Sequence, residues 1–207
     1  MDRVTIARLL LEKGCLKVST KEPFTYASGL KGPMYCDNRK ILAHVKERGT
    51  IINEFVKLIE KLNLNFDSLC GLATAGIPHG ALIAAQLNKP FIYVRSKPKE
   101  HGQRNQVEGF FQANQKTLLI EDLVNQGKSL EEAVIGIREE GLTAVACLTI
   151  VDYEMSQAKE RLKTLDLELY SLTDFSHIIQ TAEKLNMIEN NEKETLIAWQ
   201  QNPTQWP

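Results

Sequence analysis

The densest chemistry in the chain lies between Leu118 and Leu130, LLIEDLVNQGKSL. An apolar run ends abruptly in two acids, Glu121 and Asp122. Leu123, Val124, Asn125, Gln126, Gly127, Lys128 and Ser129 follow, before an amphipathic stretch. A strand's carboxyl end, a tight glycine turn and a helix N-terminus bring several backbone N–H groups around one point, and the helix dipole adds positive potential there. Such a loop binds a phosphate. Ser129 adds a hydroxyl and Lys128 a positive charge, while the adjoining carboxylates suit the hydroxyls of a sugar. The same residues also fit a plainer reading, in which the acids cap the helix and the loop only connects; by themselves they leave both open. The letters GKS suggest a Walker P-loop, but that pattern needs glycine five residues before Gly127, and Asp122 stands there.

A second group of charges falls in Ser96 to Gly109, SKPKEHGQRNQVEG. Lys97, Lys99, His101 and Arg104 stand there against Glu100 and Glu108. The segment is polar, with glycines at 102 and 109, so an exposed and flexible connection is expected. Composition alone reads it as a solvated hairpin.

These residues need a frame. Apolar runs at 68–73, 90–95, 117–122 and 144–152 predict short strands buried on both faces, with a weaker one at 168–172. A helix over 46–62 places Ile52, Phe55, Val56, Ile59 and Leu62 on one face, and another is expected over 77–87. A third, over 129–140, aligns Leu130, Ala133, Val134 and Ile137; Ser129 with Glu132 fits a capping box and Gly141 a C-terminal stop. The expected fold class is α/β: an open, mostly parallel sheet with helices on both faces and the ligand site at the carboxyl ends of the strands. Residues 1–43 and 174–207 fall outside the alternation. The first begins with a helix and becomes turn-rich; the second reads as two short helices, with Phe175, Ile178, Ile179 and Ala182 on one face. We expect one domain over 1–207, its ends packing together as a small hood-like subdomain.

Composition excludes several classes. A chain of 207 residues, 43% hydrophobic and 25% charged, suits one soluble domain, and a net charge of −1 argues against a broad nucleic-acid or membrane surface. No apolar run approaches the roughly 20 residues of a membrane helix. Charges interrupt the first residues, MDRVTIARLLLEKG, and no small-residue cleavage site follows, so a cytoplasmic location is expected. Cys15, Cys36, Cys70 and Cys147 are scattered without a CxxC pair, which argues against a disulfide framework or a zinc site. Cys70 and Cys147 read as core. His44 and His177 have no metal-like partners at useful spacing; His79 reads as a cap or packing residue, and Trp199 and Trp206 as packing residues.

IEDLVNQGKS resembles the phosphoribosyl-pyrophosphate loop of the type I phosphoribosyltransferases, with Asn125 and Gln126 in place of a hydroxyl pair. YVRSKPKEHGQRNQVEG resembles the catalytic loop of orotate phosphoribosyltransferases. FTYASGLKGPMYCDNRK (24–40) and CGLATAGIPHGALIA (70–84) resemble that family's N-terminal signature and first strand-loop-helix unit. Together these segments, in the right order, span about 20–183, and the wording ATAGIPH and YVRSK reads closest to the Gram-positive bacterial branch. The resemblance implies transfer of phosphoribosyl from its pyrophosphate to orotate in pyrimidine nucleotide synthesis, with Mg²⁺ held mainly through the donor. It implies that Glu121 and Asp122 hold the ribose hydroxyls and that Leu123, Val124, Asn125, Gln126, Gly127, Lys128 and Ser129 cradle the 5′-phosphate. It implies that Arg95, Lys99 and His101 assist the departing pyrophosphate, with Lys99, His101 and Asp122 catalytic. A homodimer sharing loop 96–109 follows from the same likeness. Where some members carry an arginine that helps hold orotate, this chain has Tyr153, so the base contacts must differ. A purine or xanthine phosphoribosyltransferase, or a nucleotide-binding regulator that has lost catalysis, are the alternatives.

Overall fold

A computed structural model of the chain describes residues 2–20, 22–26, 31–96 and 106–203. Helix α1 (Arg3–Glu12) leads into four short strands, β1 (Leu16–Val18), β2 (Phe24–Thr25), β3 (Lys31–Gly32) and β4 (Met34–Cys36), then a 3₁₀ turn and α2 (Val45–Leu62). Alternation follows: β5 (Ser68–Leu72), α3 (Gly76–Leu87), β6 (Phe91–Val94), β7 (Val107–Glu108), β8 (Lys116–Val124), α4 (Lys128–Glu139), β9 (Thr143–Asp152), α5 (Ser156–Leu165) and β10 (Leu169–Asp174). Helices α6 (Phe175–Lys184) and α7 (Asn190–Gln201) end the described chain.

The central sheet has six strands in the order β10-β9-β8-β5-β6-β7, parallel except for the short β7. Each inner strand must be apolar on both sides, because helices cover both faces. Along β8 the alternation is explicit: Leu118 and Ile120 join one core, and Leu119 the other. The second core, under α4 and α5, gathers Leu119, Cys147, Val134, Ile137 and Leu165. The first is larger and runs from Leu118, Leu148 and Leu172 through Ile51 and Phe55 of α2 to Leu10, Ile178 and Trp199 from the chain ends.

Two sequence expectations need correcting. The strand does not stop at the acids: β8 continues to Val124, because β9 is long enough to pair Glu121 with Thr149, Leu123 with Val151 and Val124 with Asp152. Backbone groups with a ladder partner stay in the ladder. Nor does Ser129 cap the next helix. Gly127 occupies the cap in the left-handed region (φ 76°), so α4 begins at Lys128 and no side chain caps it. A glycine at that conformation turns the chain into the helix one residue early, and the Ser129–Glu132 box does not form. Gly141, also left-handed at φ 79°, follows the end of α4 as expected.

The two ends of the chain meet. Arg3 pairs with Asp174, Thr173 Oγ1 donates to the Arg3 carbonyl, and Thr20 Oγ1 donates to Glu192 Oε1 at 2.7 Å. They share the first core with the sheet, so burial of the same apolar side chains holds the chain ends and the sheet together.

Candidate active site

Strands β5 and β8 are neighbours, yet the chain leaves β5 toward β6 and leaves β8 toward β9. Crossovers that diverge in this way open a crevice beyond the strands' carboxyl ends. The N-terminus of α3 closes its floor. A Cβ on Gly76 would overlap the Ile120 carbonyl oxygen and lie 3.2 Å from the Glu121 Cα, so only glycine permits this approach. The peptide between Ala73 and Thr74, in the loop before it, is cis.

Two cavities flank the end of β8. The larger, about 270 Å³, is lined by Glu121, the run from Leu123 to Leu130, and three residues from the chain ends, Tyr26, Trp199 and Pro203. The smaller, about 70 Å³, lies between Leu72, Ala73, Val94, Arg95 and Ser96 and the first turn of α4. Glu121 and Ser129 belong to both. The loop between β8 and α4 is held from behind: Arg161 of α5 donates from Nε to the Gln126 carbonyl at 3.2 Å and pairs with Glu131. Gly127 presses against α5, where a Cβ would sit 3.2 Å from the Ala158 Cα. With no side-chain cap on α4, its first-turn N–H groups are left for a ligand.

Glu121 is buried, and its Oε1 accepts from the Asp122 backbone N–H at 2.8 Å. Burial, and then the charge of Asp122, push its carboxyl well above the ordinary glutamate value. Burial also raises Asp122, partly offset by its hydrogen bond with Glu121 and the positive charge of Arg39. Two adjoining carboxyls out of water resist double ionisation, and hydroxyl donors or a cation would relieve them. Asp122 lines neither cavity. Its carbonyl accepts from Asn38 Nδ2 at 2.8 Å, and its carboxyl feels Arg39 and Asp37 from the segment after β4.

The other expected residues divide. Asn125, Gln126 and Gly127 are half-buried along the larger cavity; Lys128 and Ser129 are exposed, and Lys128 Nζ lies 3.9 Å from Glu132. The Asn125 Oδ1 is buried without a partner; half a turn of that carboxamide would present its NH₂, which suits a phosphate oxygen. Arg95 lines the smaller cavity, 3.8 Å from Glu108. Lys99 and His101 lie outside the described residues, as do Lys97, Arg104, Ser28, Gly29 and Trp206. His79 packs: it is fully buried, neither ring nitrogen has a partner, and burial lowers it to about 4. The His177 ring Nδ1 meets Asp174 at 2.6 Å, at the start of α6. Among the described residues no three His, Cys, Asp or Glu side chains gather into a metal cluster, and no helix is long and apolar enough to cross a membrane.

Sequence reasoning passed over Trp199 as a cavity residue and quoted Tyr26 only within its motif. A single tryptophan in an amphipathic tail carries no local sign of facing a ligand.

Comparison with known proteins fits this geometry. Residues 38–183 match the phosphoribosyl transferase domain. Orotate phosphoribosyltransferase of Coxiella burnetii is 41% identical over 207 residues, covering all of this chain and 99% of the relative. That of the Gram-positive Lactococcus lactis subsp. cremoris is 40% identical over 201 residues, 97% of this chain and 96% of its own. The solved orotate phosphoribosyltransferase of Aeropyrum pernix superimposes with a TM-score of 0.75 at 26% identity, over 89% of this chain and 99% of that one. A mostly parallel sheet with a cavity-lining loop at its switch point is thus, here, the type I phosphoribosyltransferase fold. The chain belongs to the phosphoribosyltransferase family and, by its full-length relatives, to the orotate phosphoribosyltransferases.

Proposed function

We propose that this protein transfers the 5-phosphoribosyl group of phosphoribosyl pyrophosphate to orotate, giving orotidine 5′-monophosphate and pyrophosphate in pyrimidine nucleotide synthesis. One observation carries the reading: a chain related along its whole length to orotate phosphoribosyltransferases also opens its larger cavity along Glu121 and the Leu123–Leu130 loop. In the reaction the C1–O bond to pyrophosphate breaks, a C1–N bond to the base forms, and the base's N–H proton leaves to solvent. Positive charge builds at the anomeric carbon meanwhile, and preorganised groups aimed at developing charge are the strongest catalytic device available.

The roles are those that the resemblance implies. Backbone N–H groups of the 125–129 loop hold the 5′-phosphate, helped by the Lys128 charge. Glu121, which lines both cavities, accepts from the ribose hydroxyls; Asp122, given the same role by the resemblance, reaches them only if its carboxyl turns from Arg39 toward the loop. Arg95, which lines the smaller cavity, assists the departing pyrophosphate together with Lys99 and His101. Stabilising charge that appears only at the transition state raises turnover rather than affinity. The oxygen donors of Glu121 and Asp122 suit a hard cation such as Mg²⁺ but are too few for its shell, which fits an ion carried mainly by the donor's oxygens. When bound, Mg²⁺ would offset the pyrophosphate charge. A cytoplasmic homodimer sharing loop 96–109 belongs to the same reading.

The test is the fall in orotate absorbance with phosphoribosyl pyrophosphate and Mg²⁺. Turnover of hypoxanthine or xanthine but not orotate would sink the acceptor assignment. Donor binding with no turnover of any base would favour the regulator.

A further inference from the structure

One wall of the smaller cavity is Gln106, across the β6–β7 hairpin from Arg95. The hairpin register sets Tyr93 against Glu108 and Val94 against Val107, so the next pair is Arg95 with Gln106. A hydrogen-bonded antiparallel pair exchanges two backbone bonds. Here the backbone makes one of them: the Arg95 N–H donates to the Gln106 carbonyl at 2.9 Å. The other comes from the Gln106 side chain, whose Nε2 donates to the Arg95 carbonyl at 2.8 Å. The Gln106 backbone N–H is thereby released from the ladder. It turns to α4 and donates to Glu140 Oε1 at 3.2 Å.

Two residues of α4 are unfavourable choices for a helix and find their reason in this arrangement. Glycine in a helix interior lowers stability relative to alanine, yet Gly136 stands buried within α4. A Cβ there would overlap Gln106 Oε1 and lie 2.7 Å from its Cδ, so the missing side chain is what seats the amide. A carboxylate at a helix C-terminus opposes the dipole, yet Glu140 caps the end of α4, where the Gln106 N–H gives it a donor.

The consequence falls on Arg95. Its side chain lines the smaller cavity, facing Ser129, Glu132 and Ala133 from the start of α4. The direction of that side chain depends on where its backbone is held. Without the amide, Arg95 would be tied to Gln106 through its N–H alone. With it, both backbone groups of Arg95 are fixed, and they are fixed to the helix that forms the opposite wall.

We propose that Gln106 is a positioning residue: its side-chain amide, seated on Gly136, holds Arg95 where the guanidinium meets the pyrophosphate of the donor. This rests on the reading above, in which Arg95 assists the departing group. Loss of the amide misdirects the cation without removing it, so the cost falls on turnover.

Gln106→Met keeps the length of the side chain and removes its N–H donor. It should lower kcat about tenfold while the orotate KM stays within about twofold. Gly136→Ala leaves Gln106 in the chain, improves helix propensity and displaces the amide, and should lower kcat in the same way. In an Arg95→Ala background, Gln106→Met should cost less than about twofold more, because the residue it serves is gone. Should Gln106→Met fail to fold, Gly136→Ala carries both comparisons. An undiminished kcat in either folded variant, a matching rise in the orotate KM, or a full tenfold loss on top of Arg95→Ala would overturn the proposal. A wild-type protein that does not turn over orotate defeats the underlying reading first, and is seen before any variant is made.

Discussion

The two ends of the larger cavity are built by opposite means. At one end, Glu121 to Ser129 form a single run of polar chain, delivered by one strand and one helix and tied back through Arg161. At the other, Tyr26 comes from beside β2 and Trp199 from α7, at opposite extremes of the chain; both flank Gly32, and Trp199 packs against Tyr153 and Phe175 in the first core. The loop presents backbone N–H groups, whose direction is set by the turn. The aromatic wall works through side chains, whose place is set by packing. The loop should therefore tolerate side-chain changes such as Asn125 and Gln126, while the wall should be sensitive to single atoms.

Mutations separate the two. The largest effect is expected from Asp122→Asn. Loss of a charge-assisted contact to ribose is worth about 1.5–3 kcal/mol, so kcat/KM for the donor should fall about 10- to 100-fold with the orotate KM nearly unchanged. Unaltered donor kinetics would remove Asp122 from the donor end.

Lys99→Ala should lower kcat by about an order of magnitude or more, with the melting temperature unchanged, because a cation that stabilises only the leaving group contributes nothing to the core. Wild-type turnover in that variant would leave the loop without an essential charge.

The acids also predict a pH dependence of stability. The folded Glu121 pKa is raised above its ordinary 4.5, so between 4.5 and the folded value the ligand-free protein binds more protons than the unfolded chain. Stability must therefore fall as pH rises through that window, by at most about 1.4 kcal/mol per pH unit for one proton, and Glu121→Gln should flatten the slope. Melting curves from pH 4.5 to 8 decide it; equal slopes in both proteins would mean that the acids are already relieved in the free protein.

The smallest effect belongs to the wall. The Tyr26 hydroxyl donates to the Met34 carbonyl at 2.5 Å. Tyr26→Phe should cost about 1 kcal/mol of stability and raise the orotate KM more than the donor KM. The reverse ratio would place Tyr26 with the donor and erase the contrast.

How much of this was legible depends on distance along the chain. Apolar runs located the inner strands to within a residue or two, and the alternation of Leu118, Leu119 and Ile120 between two cores is what a parallel strand covered on both faces requires. The loop between β8 and α4 was legible because its parts are adjacent. Its fine geometry was not: the strand's true end waited on the length of its partner β9, and the helix start on the left-handed Gly127. Tyr26 lay within a readable motif, whereas Trp199 had no local pattern to mark it.

By itself, then, the sequence determined the α/β class, the order of its units and the residue types of the loop after β8, since each rests on periodicity or on residues a few positions apart. The tertiary structure alone decided that α7 reaches the cavity, that Gly32 packs closely against Tyr26 and the Trp199 indole, and that Glu121 serves both cavities while Asp122 lines neither. Those facts depend on the closing of the two chain ends over one core, driven by burial of side chains far apart in sequence, and no local pattern encodes which of them will meet.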